Sequence, residues 1–136
     1  MRSLPALLLL LAAIPAQALA CGLPRGQVQQ ADFYYELGSS SLNAAGVETL
    51  EAVVARSRGC QVIFIVSGHI DANELQANPG LGQARAEDVR TRLQARSFAP
   101  GDILVRDLAF SRPAIPTGPG SREPLNRRAE LFIVVL

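Results

Sequence analysis

Asp71 and Arg85 are the residues on which binding chemistry could rest. The stretch Val66-Ser67-Gly68-His69-Ile70-Asp71 reads as a buried strand that ends at Gly68, where the chain leaves its sheet. Loops at strand ends are where α/β folds place their binding groups, held by a rigid scaffold behind them. Asp71 puts an anion on that loop. Arg85 lies one turn into the next expected helix and shares a face with Val89 and Leu93, four and eight residues on, which aims it inward toward the sheet end. An acid and a guanidinium converging on one pocket suit a zwitterion. The carboxylate takes an ammonium, and the guanidinium takes a carboxylate through paired hydrogen bonds. The same residues also admit a structural reading, in which they pair with each other or Arg85 is a solvated helix charge. Neither belongs to the expected hydrophobic core.

Catalytic and metal chemistry find less support. His69 is the only histidine. Without a second His or a free Cys pair, no metal site is expected. Ser67 and Ser111 are available nucleophiles, but neither sits in a nucleophile-elbow pattern. No base–nucleophile set emerges, so the chain is expected to be neither an enzyme nor a cofactor binder. His69 is expected to hydrogen-bond the loop backbone.

The elements that must position these residues follow from hydrophobic periodicity. Gly22 to Gln30 reads as an irregular lead-in, and Ala31 to Leu37 as a first strand. Asn43 can cap a helix in which Val47, Leu50, Val53 and Val54 recur at helical spacing, with Gly59 as its stop. Val62 to Val66 is an unbroken apolar run, read as a strand buried on both faces. Gly68 to Gly80 is polar, ends in Asn-Pro-Gly and reads as a loop. Leu81 to Arg96 is a second helix, with Glu87–Arg90 and Asp88–Arg92 on its wet face. Ile103 to Leu108 is a third strand. Ser111 to Pro124, with four prolines and two glycines, is a loop. Arg128 to Leu136 is the closing strand. This order predicts an α/β (α+β) two-layer sandwich, a mixed βαβαβ-β sheet with its helices on one face.

Arg2, the apolar stretch Leu4 to Ile14 and the small residues Ala18-Leu19-Ala20 make residues 1–20 a secretory signal in layout. Export to the periplasm is expected, with association with the outer membrane as one setting. Apart from Arg2 the chain carries 12 Arg against 12 Asp plus Glu, and it has no Lys. Neutral balance and few aromatics argue against nucleic acid and against anionic membranes. Cys21 and Cys60 are the two cysteines of an exported chain, which points to a disulfide. The alternative is a lipidated Cys21, which stands directly after the expected cleavage point. That pattern prefers Leu where Ala18 stands, and it would leave Cys60 unpaired. A membrane is a partner only in that alternative.

Gly68-His69-Ile70-Asp71, Asn78, Leu81-Gly82, Arg85-Ala86 and, downstream, Asn126-Arg127-Arg128-Ala129-Glu130 occur as separate blocks in one order. This set resembles the OmpA-like domain that closes Pal lipoproteins, OmpA porins and flagellar-stator proteins. The similarity runs from Phe33 to Phe132, and the domain is expected over 31–136. The resemblance implies a module that binds peptidoglycan at the diaminopimelate of its stem peptide. It assigns the ligand's ammonium to Asp71 and its carboxylate to Arg85. It has Asn78 shape the loop and Arg127 support the pocket from the last strand. The alternatives are an OmpA-like scaffold that binds an envelope protein instead of the wall, and a secreted wall hydrolase. Ile70 replaces the usual Thr, and Gly82 stands where Ser is more common. The loop from Asp71 to Asn78 is one residue short and lacks its usual Gly.

Overall fold

The computed structural model describes residues 20–136. The expected signal segment, 1–20, lies outside them except for Ala20. Strand β1 is Val28–Tyr34, β2 is Val62–His69, β3 is Ile103–Ala109 and β4 is Arg128–Val135. Helix α1 is Ala44–Ser57, α2 is Ala72–Ala77 and α3 is Leu81–Ala95. The four strands form one mixed sheet in the order β1-β4-β2-β3. β4 runs antiparallel to both β1 and β2, and β2 runs parallel to β3 with α3 in the crossover. This is the α/β sandwich expected from the order of elements.

One face of the sheet carries the core. Phe33, Val62, Phe64, Val66, Ile103, Leu131, Ile133 and Val135 pack against Leu50, Val53 and Val54 of α1 and Ala86, Val89 and Leu93 of α3. Phe64 meets the ring of Phe98 edge-on, with centroids 4.8 Å apart. The reading of β2 as buried on both faces is corrected here. Val62, Phe64 and Val66 are buried, but Ile63 and Ile65 are only half-buried, because both long helices lie on the other side. On that second face, Val28 and Leu104 are 59% and 52% exposed.

The first strand also begins earlier than expected, so the irregular lead-in ends at Gln27 and not at Gln30. Its register is fixed by β4, from Val28 opposite Val134 to Tyr34 opposite Arg128. A pairing 94 to 106 residues away in sequence cannot be read from local composition. The Tyr35 N–H still reaches the Arg127 carbonyl at 2.9 Å, and then the chain leaves the sheet.

Local signals set the helices. The Asn43 side chain accepts from the Gly46 N–H at 2.9 Å and caps α1. α3 starts almost in contact with β2. A Cβ on Gly68 would lie 1.7 Å from the Gly82 carbonyl oxygen, and one on Gly82 would lie 2.6 Å from Asp107 Oδ1. Backbone is the obstacle at 68, which requires glycine there, whereas at 82 the nearest obstacle is the movable end of the Asp107 side chain; the close approach itself joins α3 to β2. It sets Arg85 directly beneath the end of β2. Cys21 and Cys60 form a disulfide that ties the lead-in to the α1–β2 turn. Among the described residues, no helix is long and apolar enough to cross a membrane.

Candidate functional site

Arg85 is the largest fully buried side chain of the described residues, with none of its surface exposed. A buried guanidinium must satisfy its five N–H groups or lose much of its solvation uncompensated. All five are used. Nε donates to the Ser39 carbonyl at 2.9 Å. Nη1 donates to the His69 carbonyl at 2.9 Å and to Glu74 Oε1 at 2.7 Å. Nη2 donates to the Glu36 carbonyl at 3.3 Å and to Glu74 Oε2 at 2.6 Å. The Tyr35 ring lies 5.1 Å from the guanidinium carbon, within cation–π range. The Tyr35 hydroxyl donates to the Arg85 carbonyl, and burial, followed by the nearby Asp88 charge, pushes the phenol well above its ordinary pKa.

The partner of Arg85 is therefore Glu74, neither Asp71 nor solvent. Glu74 is 2% exposed, and its carboxylate accepts four hydrogen bonds. Two come from Arg85. The others come from the Asp71 N–H at 3.2 Å and the Gly38 N–H at 2.9 Å. Gly38 has φ +73°, a left-handed conformation that costs glycine little and turns its N–H toward the carboxylate. Four donors from three separate segments thus converge on one carboxylate.

Asp71 is also fully buried and N-caps α2. Its Oδ1 accepts from the Glu74 N–H at 2.8 Å. Its Oδ2 accepts from the Glu123 N–H and from Arg127 Nη1, each at 3.1 Å. Arg127 also donates from Nε to the Tyr35 carbonyl at 3.1 Å, which links β1, β4 and Asp71. Asn78 is exposed. Its N–H donates to the Glu74 carbonyl at 2.7 Å, closing α2, and its carbonyl accepts from the Leu81 N–H at the start of α3. Asp71, Arg85 and Arg127 are therefore brought together around Glu74 and α2, with Asn78 at the far end of that helix. Asp71 and Arg85 both lie within the folded interior, contrary to their placement outside the core.

The element missed from sequence is α2, where a loop was expected. Six residues are too few to show a hydrophobic period. The available signal was the spacing Asp71…Glu74, which forms a capping box: each side chain takes the other's backbone N–H. That box carries Glu74 into the site.

A cleft of about 360 Å³ opens beside the network, lined by Tyr34, Tyr35, Glu36, Asn43, Leu125 and Arg127. His69 lies on the opposite side, on the second face of the sheet. Its side chain does not bond the loop backbone as expected. Instead Nε2 sits 3.3 Å from Glu130 Oε2, and the ring is buried. Burial, then the charge of Arg128, pushes the imidazole below its ordinary pKa against the opposing pull of Glu130. Burial alone would raise the Glu130 carboxyl. Hydrogen bonds from Arg128, with the charges of His69 and Arg128, outweigh it and hold Glu130 below the usual range. Among the described residues, no group of three or more His, Cys, Asp or Glu is placed to hold a metal ion.

With this geometry, the chain is similar to several solved domains. It superposes on the cell wall anchor of the T6SS from Pseudomonas aeruginosa with a TM-score of 0.66 at 21% identity, over 80% of this chain and 82% of that one. For the peptidoglycan-associated lipoprotein from Burkholderia pseudomallei the TM-score is 0.63 at 22% identity, over 75% and 88% of the two chains. For an OmpA-like domain from Francisella tularensis it is 0.62 at 16%, over 90% and 93%. The fold is thus that of the OmpA-like domains, as the sequence resemblance implied. In sequence, the chain is 29% identical over 108 residues to an outer membrane protein of Gluconacetobacter diazotrophicus. That match takes in 74% of this chain but only 29% of the relative's length. No family model matches the sequence.

Proposed function

We propose that the chain is a non-catalytic, exported module of the bacterial envelope that holds peptidoglycan at the diaminopimelate of its stem peptide. The observation that carries this reading is the carboxylate cradle made by Arg85 Nη1 and Nη2, the Gly38 N–H and the Asp71 N–H. Such a paired guanidinium contact is selective for a planar carboxylate. In this reading Arg85 takes the ligand's carboxylate and Asp71 its ammonium. Arg127 holds Asp71 in place, and Asn78 fixes the junction between α2 and α3. The cleft along Tyr34, Tyr35 and Leu125 receives the rest of the stem peptide. The cell wall anchor and the peptidoglycan-associated lipoprotein that share this fold support a wall-bound role. Sedimentation of the mature, disulfide-bonded protein with purified sacculi tests it. Diaminopimelate walls should bring the protein down, and walls with lysine in its place should not. Equal binding to both would refute the assignment of the ligand.

A second reading is an OmpA-like scaffold that binds an envelope protein and no longer holds the wall. It is favoured by one observation: every donor of Arg85 is already used within the chain. A complete failure to sediment with diaminopimelate walls would select it.

A further inference from the structure

We propose that Glu74 is a built-in competitor for the Arg85 cradle, so that an outside carboxylate enters only by displacing it. The identity of that carboxylate as diaminopimelate rests on the reading above; the competition itself does not. Glu74 presents the two oxygens of a ligand carboxylate, with the same charge, to the four donors that a ligand would use. Arg85 is therefore paired with a carboxylate both before and after exchange. As a ligand carboxylate loses its water, Glu74 regains its own, and the desolvation of one acid is offset by the hydration of the other.

The mounting of Glu74 makes exchange feasible. α2 has six residues and buries only Ala72 and Glu74. Leu75, Gln76, Ala77 and Asn78 are all exposed. Little apolar packing beyond Ala72 opposes a rotation that carries Glu74 outward, so the restraints are the cradle, the capping box and the Asn73 N–H bond to the Ser121 carbonyl. Asp71 gains at the same step. When the Glu74 N–H leaves Oδ1, that oxygen is free for the ligand's ammonium. Opening thus prepares the acid and the guanidinium together. The cost is affinity, because the apparent dissociation constant is the intrinsic one divided by the fraction of molecules that are open.

The test uses the disulfide-bonded mature chain with Glu74→Gln and Glu74→Ala. Two readouts are taken: thermal midpoint against acetate or free meso-diaminopimelate, and sedimentation with diaminopimelate sacculi. Both variants should melt below the wild type. Acetate or diaminopimelate should raise their midpoints saturably, at concentrations that leave the wild type and Arg90→Ala unchanged. Affinity for sacculi should rise roughly tenfold or more in Glu74→Gln, the change expected if fewer than about one wild-type molecule in ten is open. If Glu74→Ala does not fold, Glu74→Gln alone carries both readouts. Midpoints that ignore acetate and diaminopimelate would overturn the proposal. So would a wild type that binds sacculi as tightly as Glu74→Gln, a result that leaves the wall-binding reading standing. Rescue of the midpoints with no sacculus binding by any form supports the competition and refutes the wall as the ligand.

Discussion

Arg85→Ala should destabilise the protein severely, quite apart from any ligand. The substitution removes the partner of Glu74 and strips donors from the carbonyls of Glu36, Ser39 and His69. Glu74 keeps the N–H groups of Gly38 and Asp71, so its charge is not wholly abandoned. Breaking one side of a buried ion pair costs about 3–5 kcal/mol. A domain of this size has a total stability of roughly 6–17 kcal/mol, at about 0.05–0.15 kcal/mol per residue. The variant should fold but unfold early, with a urea midpoint lower by about 2 M if the slope is near 2 kcal/mol per M. Arg85→Met combined with Glu74→Leu should lose less than Arg85→Ala, because no buried charge is left unmatched. Urea titrations followed by circular dichroism measure all three. A loss under about 1 kcal/mol for Arg85→Ala would refute the reasoning, since it would mean that the Arg85–Glu74 pair contributes no more than a surface ion pair. The result also governs how binding data are read: loss of sacculus binding by Arg85→Ala identifies a ligand contact only at temperatures where that variant is folded.

Phe64→Ala should cost about 3–5 kcal/mol in the same titrations, because Phe64 is fully buried in the central sheet against Phe98, and a cost below about 1 kcal/mol would contradict that placement. Reduction of the Cys21–Cys60 bond, which closes 39 residues of sequence separation, should lower stability by about 4 kcal/mol in the chain-entropy model, and intact mass should show the oxidised pair without a lipid. His69 sets the pH dependence. Its folded pKa lies below the unfolded 6.5, so the unfolded chain binds the extra proton first as pH falls. Its contribution is present above about pH 6.5 and is lost on acidification through the folded value, so the urea midpoint should fall from about pH 7.5 to pH 5.5. In His69→Gln that slope should flatten, and a wild-type midpoint that rises on acidification would contradict the sign.

The parts of the fold that were legible from sequence are those whose signal is local and repeated. α1, α3, β2 and β4 each carry several apolar residues at the period of their element, and Asn43 caps α1 as its position suggests. β1 was displaced because its limits come from pairing with β4. The second face of β2 is not legible from sequence, because Ile63 and Ile65 are apolar whether or not a helix covers them. The site divides along the same line. Asp71 and Arg85 stand out by residue type and spacing, but Arg85's partners do not. Its guanidinium is satisfied by carbonyls 46 and 49 residues away and by an acid 11 residues back. The departure that gave Glu74 its place was nevertheless visible. The segment from Asp71 to Asn78 contains no glycine, where the resemblance implies one and a residue more. Without glycine the segment loses little entropy as a helical turn, and Asp71 with Glu74 supplies both halves of a capping box. A capping box turns the side chain of the third helical residue back onto the N–H of its own N-cap. In this chain the N-cap is Asp71, so the box that stabilises α2 also delivers the Glu74 carboxylate to Arg85. A Gly-containing loop one residue longer between Asp71 and Asn78 should therefore empty the cradle without changing Asp71 or Arg85, and acetate should then raise the thermal midpoint of that variant at concentrations that leave the wild type unchanged; a midpoint that ignores acetate would contradict this.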